Sequence, residues 1–285
     1  MSRGLVRLFG REVELRTDPF VHGVIDGLLP PSRYHALAAT FVEPEGEGAS
    51  DAYADGKRRI HFGAPPVPGF LEGNAPWREF VAEISSARAI GEMRDLCAQA
   101  AALVPARAPY DQLERRRSEI ASNDFRLYCE FSSLRRGARL RPHTDATFKF
   151  LSFVYYFAPP TWDGTWDGAT EIYGARDDRG RFNWANRELE ARDVERVGRC
   201  EFVPNRLFFF VKGSRSLHGV APVGCPPDVR RRTFNFALEV PRARYEASPA
   251  GECDREVCER EAWRWLPSLV RRILSRARRM IGPGA

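Results

Sequence analysis

Residues 206–240 read RLFFFVKGSRSLHGVAPVGCPPDVRRRTFNFALEV. The apolar run Leu207 to Val211 is short and rich in residues that favour extended backbone, so it predicts a strand. The closing segment from Arg231 alternates, placing Arg231, Thr233 and Asn235 on one face of a second strand. Between the two lie glycines and prolines that break regular structure. Working outward, DFRLYCEF (124–131), FKFLSFVYYF (148–157), ATEIYG (169–174) and RCEFVP (199–204) carry the same signature and are separated by Gly, Pro and Asp turns. So many short strands in succession predict a mainly β fold with supporting helices (α+β), its core a sandwich or jelly roll, the double-stranded β-helix.

The first part of the chain supplies the bracing. DPFVHGVIDGLLPPSRYHALAATF (18–41) predicts a short strand, a Pro-Pro break, and a helix opened by Ser32 as N-cap with Tyr34, Leu37, Ala38 and Phe41 on one face. Residues 43–76 are rich in Gly, Glu and Pro and predict loop, with a short strand at Arg59 to Phe62. From Trp77 to Leu103, apolar residues recur at three-to-four spacing around a break near Ser85, which predicts helical packing material. The charged interruption from Ala175 to Arg199 reads as a surface loop or lid in the β half. The expected organisation is an N-terminal helical support region (1–120), a catalytic β core (121–240) and a basic amphipathic tail (241–285).

Composition excludes several classes. At 285 residues and 43% hydrophobic, the chain is long enough to bury a substantial core. No signal-type apolar stretch opens it and no window is apolar enough to span a bilayer, so it reads as cytoplasmic. The six cysteines are scattered and form no CxxC pair, which favours reduced thiols over a zinc ribbon or redox motif. The net charge of +6 is carried by the tail, where residues 262–285 hold six arginines and no acid, leaving the rest neutral. That distribution does not describe a nucleic-acid groove. In WRWLPSLVRRILSRARRMIG (263–282) an apolar stripe lies opposite the arginines. Such a helix packs on its own protein more often than it lies on an anionic membrane surface or an acidic partner, and internal packing is the preferred reading.

The chemistry concentrates in the β half. His143 and Asp145 are two apart in RPHTDATF (141–148), so in extended backbone both side chains face one way, and His218 follows the apolar strand. Two imidazoles and one carboxylate form a facial set that leaves positions open on an octahedral iron. An HxD pair alone is common by chance. Here Arg231 follows thirteen residues after His218, able to grip a carboxylate with its planar fork, with Thr233 adding a hydroxyl. Arg230 and Arg232 compete for that role, though Arg232 should point to the other face. A cupin-like metalloenzyme that uses no co-substrate, or a binding module with a vestigial site, are the alternatives of a different class.

In order along the chain, His143-Thr144-Asp145, FLSFVYYF, Trp166-Asp167-Gly168-Ala169, NRLFFFV, His218-Gly219-Val220-Ala221-Pro222-Val223 and Arg231-Arg232-Thr233 resemble the iron(II)/2-oxoglutarate oxygenases of the prolyl-hydroxylase-like branch, over most of residues 18–240. The resemblance implies Fe(II) on His143, Asp145 and His218, with 2-oxoglutarate and O2 as co-substrates and Arg231 holding the far carboxylate. It also matches Tyr156 to a tyrosine that adds a hydroxyl to that carboxylate, set against plain core packing for the same residue. Strand alternation puts Tyr156 with Val154, Ser152 and Phe150. Two departures stand out: Ala169 replaces the second glycine of a GG turn, and a tyrosine upstream of HxD has only Phe131 or Tyr128 as stand-ins. The expected activity is hydroxylation of an unactivated C–H bond, on a small molecule of a biosynthetic pathway, with a peptidyl (prolyl-type) hydroxylase as the alternative. Wall candidates are segments 43–76 and 175–199, Phe148 and the WDGTWDG stretch (162–168).

Overall fold

The apolar run predicted at Leu207 to Val211 is a strand with both faces buried: Leu207, Phe209 and Val211 pack into one core cluster, Phe208 and Phe210 into another. The computed structural model describes residues 3–51, 56–103, 126–146, 149–176, 186–213 and 215–239. Its elements run β1 (Arg3–Leu8), β2 (Arg11–Arg16), β3 (His22–Ile25), α1 (Pro31–Ala39), β4 (Ala49–Asp51), β5 (Lys57–His61), α2 (Val67–Gly73), α3 (Ala75–Ile84) and α4 (Ala87–Leu103). The β half follows as β6 (Arg126–Leu134), β7 (Leu140–His143), β8 (Lys149–Tyr156), a short 3-10 turn (Gly164–Trp166), β9 (Thr170–Ala175), β10 (Val194–Cys200), β11 (Leu207–Val211), β12 (His218–Val220) and β13 (Arg231–Glu239). These belong to the unit Met1–Ala243; the unit Arg244–Ala285, which contains the basic amphipathic segment, lies outside the described residues.

Two antiparallel sheets make the jelly roll. The larger has the order β1-β2-β3-β11-β8-β13-β6-β5-β4 and the smaller β10-β9-β12-β7. Alternation in the large sheet separates two environments. Phe131, Phe153, Phe234 and Phe236 join the main apolar cluster with the helices, while Ser132, Ser152, Thr233 and Arg231 line a cavity. Trp77 anchors the helices to this sheet: it is fully buried, its ring lies 4.7 Å from Phe131 and 5.2 Å from Phe234, and its Nε1 donates to the Leu37 carbonyl at 3.2 Å.

Three expectations change. The N-terminal support region is not only helical, because β1 to β5 extend the large sheet at both edges. The β1–β2 hairpin was not expected: its turn at Phe9-Gly10, both with positive φ, is not one of the Asn-Gly or Asp-Gly pairs that mark a two-residue hairpin turn in sequence. Helix α1 begins two residues earlier than expected, with Pro30 and not Ser32 at the cap, Pro31 in its first turn and no side-chain cap, since the fixed φ of proline already suits that position. The break near Ser85 is as expected: α3 ends there, and Ser86 Oγ accepts from Ala89 N at 3.2 Å to start α4. Segment 175–199 is not all loop, for β10 begins at Val194 and pairs with β9. Residues 177–185 of the expected lid, and Phe148, lie outside the described residues. Among the described residues no helix is long and apolar enough to cross a membrane.

Candidate metal and co-substrate site

His143 ends β7 and His218 begins β12, and the two are direct partners in the antiparallel ladder between those strands. Their rings lie 4.4 Å apart between centroids. Asp145 follows β7 by two residues. It does not reach the site by strand alternation, since the strand stops at His143 and Asp145 adopts φ 71. That left-handed backbone costs a non-glycine residue roughly 1–2 kcal/mol. Contacts to Thr144 and Asp145 hold it in place: Lys212 Nζ donates to Thr144 Oγ1 at 2.8 Å, Ser216 Oγ donates to the Thr144 carbonyl at 3.3 Å, and Ser152 Oγ donates to Asp145 Oδ2 at 2.8 Å. One ligand atom from each of His143, Asp145 and His218 lies within 4.8 Å of the others, and all three residues are buried.

The residues around this trio prepare it for a metal. His143 Nδ1 faces the Arg141 carbonyl at 2.8 Å and His218 Nδ1 the Ser216 carbonyl at 2.9 Å. A carbonyl only accepts, so each Nδ1 carries the proton and each Nε2 presents its lone pair. Asp145 Oδ2 takes Ser152 and, at 3.2 Å, Lys149, which leaves Oδ1 facing His143 Nε2 at 3.7 Å. Burial lowers both imidazoles, that of His143 to about 3, with His218 a further cause there. Burial pushes the Asp145 carboxyl the other way, but Lys149, the two histidines and Ser152 outweigh it and hold it well below the usual carboxylate range. Neutral imidazoles and an ionised carboxylate are the forms a divalent ion binds. Two nitrogens and one oxygen fit iron(II) with open positions for exchangeable ligands.

Arg231 has the second signature. Its side chain is buried, and Nε donates to the Gly168 carbonyl at 2.5 Å and Nη2 to Thr170 Oγ1 at 3.3 Å. The guanidinium also sits 4.8 Å from the Phe202 ring centroid and 5.4 Å from that of Tyr156. Among the described residues no carboxylate forms an ion pair with it. Burial lowers its pKa to about 10. A guanidinium held in this way without a carboxylate is costly unless an anion joins it, and a dianionic keto acid fits. The neighbouring arginines are engaged elsewhere: Arg232 pairs with Glu43 and Arg230 donates to the carbonyls of Pro227 and Val229.

Tyr156 is fully buried, and its hydroxyl lies 2.6 Å from Thr170 Oγ1, so Thr170 links it to Arg231. Val154 and Ser152 share its side of β8, but Phe150 packs in the main apolar cluster, beyond the register shift between Leu238 and Glu239 on β13. Thr233 is buried and lines the same cavity as Arg231 and the trio. The turn at Asp167-Gly168 explains the substitution at Ala169. The left-handed residues are Asp167 and Gly168, and a Cβ on Gly168 would meet Arg231 Cδ at 3.1 Å, whereas Ala169 already starts the run into β9. Of the two candidates for the upstream tyrosine, Phe131 packs in the apolar cluster and Tyr128 lines the cavity.

The cavity holds residues that sequence reasoning passed over: Lys57, Lys149, Ser132 and Thr170. Behind them Glu130 is buried, accepting from Lys57 at 2.7 Å, from the Tyr128 hydroxyl at 2.5 Å and from Asn235 Nδ2 at 2.9 Å. A signal existed in β6, where Tyr128, Glu130 and Ser132 alternate with Cys129 and Phe131, polar on the face turned inward.

Residues 129–238 match the model of the 2OG-Fe(II) oxygenase superfamily. Comparison with curated proteins gives no match. Among solved structures, a prolyl-4-hydroxylase of Pseudomonas putida is 17% identical, covering 76% of this chain and 91% of its own, with a TM-score of 0.41. A prolyl hydroxylase from Trichoplax adhaerens, in complex with a hypoxia inducible factor oxygen degradation domain peptide fragment, is 12% identical over 77% of this chain and 83% of its own, with a TM-score of 0.42. HygX from Streptomyces hygroscopicus, with nickel, 2-oxoglutarate and hygromycin B bound, is 10% identical over 77% and 83%, with a TM-score of 0.40.

Proposed function

We propose, from the match of residues 129–238 to the model of the 2OG-Fe(II) oxygenase superfamily, that the chain is an oxygenase of this kind, that His143, Asp145 and His218 hold the iron, that Arg231 grips the far carboxylate of 2-oxoglutarate, and that the enzyme hydroxylates an unactivated C–H bond of a small molecule. The observation that carries the residue assignment is the pairing, in one cavity, of a buried two-histidine, one-carboxylate set with a buried arginine that has no carboxylate partner among the described residues. Thr170 and Thr233 line the cavity with that arginine and supply hydroxyls to the same end of the co-substrate, while Tyr156, behind the lining, holds Thr170 through its hydroxyl.

Iron and 2-oxoglutarate, when bound, supply the oxidising chemistry: O2 is split between succinate, formed with loss of CO2, and the hydroxyl placed on the acceptor. The chain's part is positional. The carbonyls of Arg141 and Ser216 keep both imidazoles aimed, Ser152 and Lys149 fix which carboxylate oxygen faces the metal, and the Phe208, Phe210 and Phe202 cluster excludes water around the Arg231 end. The intact Asp145 favours hydroxylation over halide transfer, which in the related halogenases needs a small residue at that place. The acceptor in this reading is a small molecule of a biosynthetic pathway, with a peptidyl (prolyl-type) side chain as the alternative.

The test is an anaerobic titration with Fe(II) and then 2-oxoglutarate, following the visible metal-to-ligand charge-transfer band. The wild type should give the band, His218→Ala should not, and Arg231→Ala should need far more 2-oxoglutarate. A folded wild type that binds Fe(II) but shows no band would favour the cupin-like alternative.

A further inference from the structure

We propose that Tyr128 is a redox-active residue: in turnover without an acceptor it gives one electron to the oxidised iron while its phenol proton moves to Glu130, so that the oxidant acts on this side chain and not on the metal ligands. This rests on the oxygenase reading above and adds a second, protective reaction to the same site. The first observation is place. Among the described residues Tyr128 is the only tyrosine lining the cavity that holds His143, Asp145 and His218. On the large sheet it stands in one row with Ala237 and Ser152, each the ladder partner of the next, and Ser152 Oγ donates to Asp145 Oδ2 at 2.8 Å. Two strand spacings, about 10 Å, separate the ends of that row. The residue between them is an alanine, too small to screen one end from the other. Lys149 Nζ lies 5.5 Å from the Tyr128 ring centroid and 3.2 Å from Asp145 Oδ2, so one ammonium group spans the gap between the phenol and a metal ligand.

The second observation is the pair of groups on the phenol. Its hydroxyl lies 2.5 Å from Glu130 Oε2 and 2.7 Å from His61 Nδ1. A phenol that loses an electron becomes a strong acid, so the electron leaves readily only where a base takes the proton along a hydrogen bond already made. Glu130 is that base. It is buried, and although burial raises its carboxyl, Lys57, Lys149 and Arg59 outweigh burial and keep it ionised. An ionised carboxylate only accepts, so the phenol proton points to Glu130 and His61 Nδ1 donates to the phenol oxygen. The 2.5 Å contact is that of a short charge-assisted O–H···O bond, along which the proton has little way to travel. In the transfer the Tyr128 O–H bond breaks and an O–H bond forms on Glu130. The tyrosine is oxidised by one electron to a phenoxyl radical, and the iron, oxidised in the reaction with O2 and 2-oxoglutarate, is reduced by one. The His61 N–H still holds the radical oxygen afterwards.

The third observation is that the other described tyrosines lack this combination. The Tyr156 hydroxyl meets Thr170, that of Tyr155 the Asn205 side chain, and that of Tyr34 two backbone carbonyls, none of them a carboxylate. Tyr173 donates to Glu171 at 2.5 Å, but neither of those residues lines the cavity.

The experiment uses the full chain loaded anaerobically with Fe(II) and 2-oxoglutarate, mixed with O2 in the absence of any acceptor and frozen at intervals for electron paramagnetic resonance, with succinate measured in the same samples. An organic radical should appear as succinate forms. Its signal should narrow when the protein carries ring-deuterated tyrosine, and it should form more slowly in D2O because a proton moves with the electron. The signal should be lost in Tyr128→Phe, or in Tyr128→Leu if the first variant does not fold, in samples whose charge-transfer band shows the iron site assembled. Succinate without an organic radical, a signal indifferent to tyrosine deuteration, equal rates in H2O and D2O, or a radical that survives loss of the Tyr128 hydroxyl would overturn the proposal. A folded wild type that forms no succinate would instead sink the oxygenase reading beneath it.

Discussion

His218 stands directly across the β7–β12 ladder from His143, and each ring turns its Nδ1 to a backbone carbonyl two residues before it in its own chain segment. The two imidazoles are therefore aimed by backbone that exists whether or not a metal is bound. Proton competition at this site should be weak. Burial lowers both pKa values, that of His143 to about 3, so the neutral, metal-binding forms persist to lower pH than in free imidazoles. Two ordinary imidazoles would lose about tenfold in Co(II) affinity between pH 7.5 and 6.0. This site should lose less than about threefold over the same interval, as measured by competition with a chelator calibrated at each pH.

Arg231 and Tyr156 do not hydrogen-bond each other; Thr170 Oγ1 lies between them, 3.3 Å from one and 2.6 Å from the other. Thr170→Val keeps the shape and removes the link. The loss of about one hydrogen bond, ~1 kcal/mol, should raise the KM for 2-oxoglutarate about fivefold and change kcat little. Arg231→Lys should raise it more, since an ammonium cannot reproduce the fork that also reaches the Gly168 carbonyl. Steady-state succinate formation against 2-oxoglutarate concentration separates the two.

The legible parts of this molecule were those where alternation or period decides the environment. Thr233, Asn235 and Arg231 turn inward because the intervening Phe234 and Phe236 belong to the core, and the α3 and α4 pattern broke where Ser85 and Ser86 cap the helices. What stayed hidden depends on contacts between distant residues. Lys57 reads as one charge among many until β5 pairs with β6 and brings it to Glu130, 73 residues away. The geometry of Asp145 was misjudged for a related reason: its positive φ is imposed by Ser152 and the buried Lys212–Thr144 contact, neither of which is local pattern.

Glu239, at the end of β13, gives the stability a pH dependence of known sign. Burial raises its carboxyl to about 7, against the lowering influence of Lys149 and Arg126. A folded-state value above the unfolded one means that its contribution is fully present below about pH 4.5 and is lost as pH rises through about 7. Glu239→Gln removes the titration. The variant's melting temperature, relative to wild type, should therefore improve on going from pH 5.5 to pH 8.5; an unchanged difference between the two would mean that Glu239 is not held protonated by the fold.

Gly168 should be the least replaceable position of the turn that faces Arg231, and Ala169 a tolerant one. Gly168 has φ 73, and a Cβ there would meet Arg231 Cδ at 3.1 Å and Trp162 Cζ2 at 3.3 Å. Its carbonyl also receives Arg231 Nε, so any shift of the turn moves the guanidinium. In Gly168→Ala, the left-handed backbone alone costs roughly 1–2 kcal/mol, and relief of the contact displaces the arginine. The requirement for 2-oxoglutarate should rise by about tenfold or more, as for loss of a well-placed charged hydrogen bond, while Fe(II) affinity, set by residues on β7 and β12 and in the loop after β7, stays within about twofold. Ala169 leads into β9 and needs no left-handed backbone, so Ala169→Gly should leave the co-substrate requirement unchanged and cost about 0.5–1 kcal/mol in stability through added chain freedom. Equal effects of the two substitutions on 2-oxoglutarate binding would show that the turn does not position Arg231.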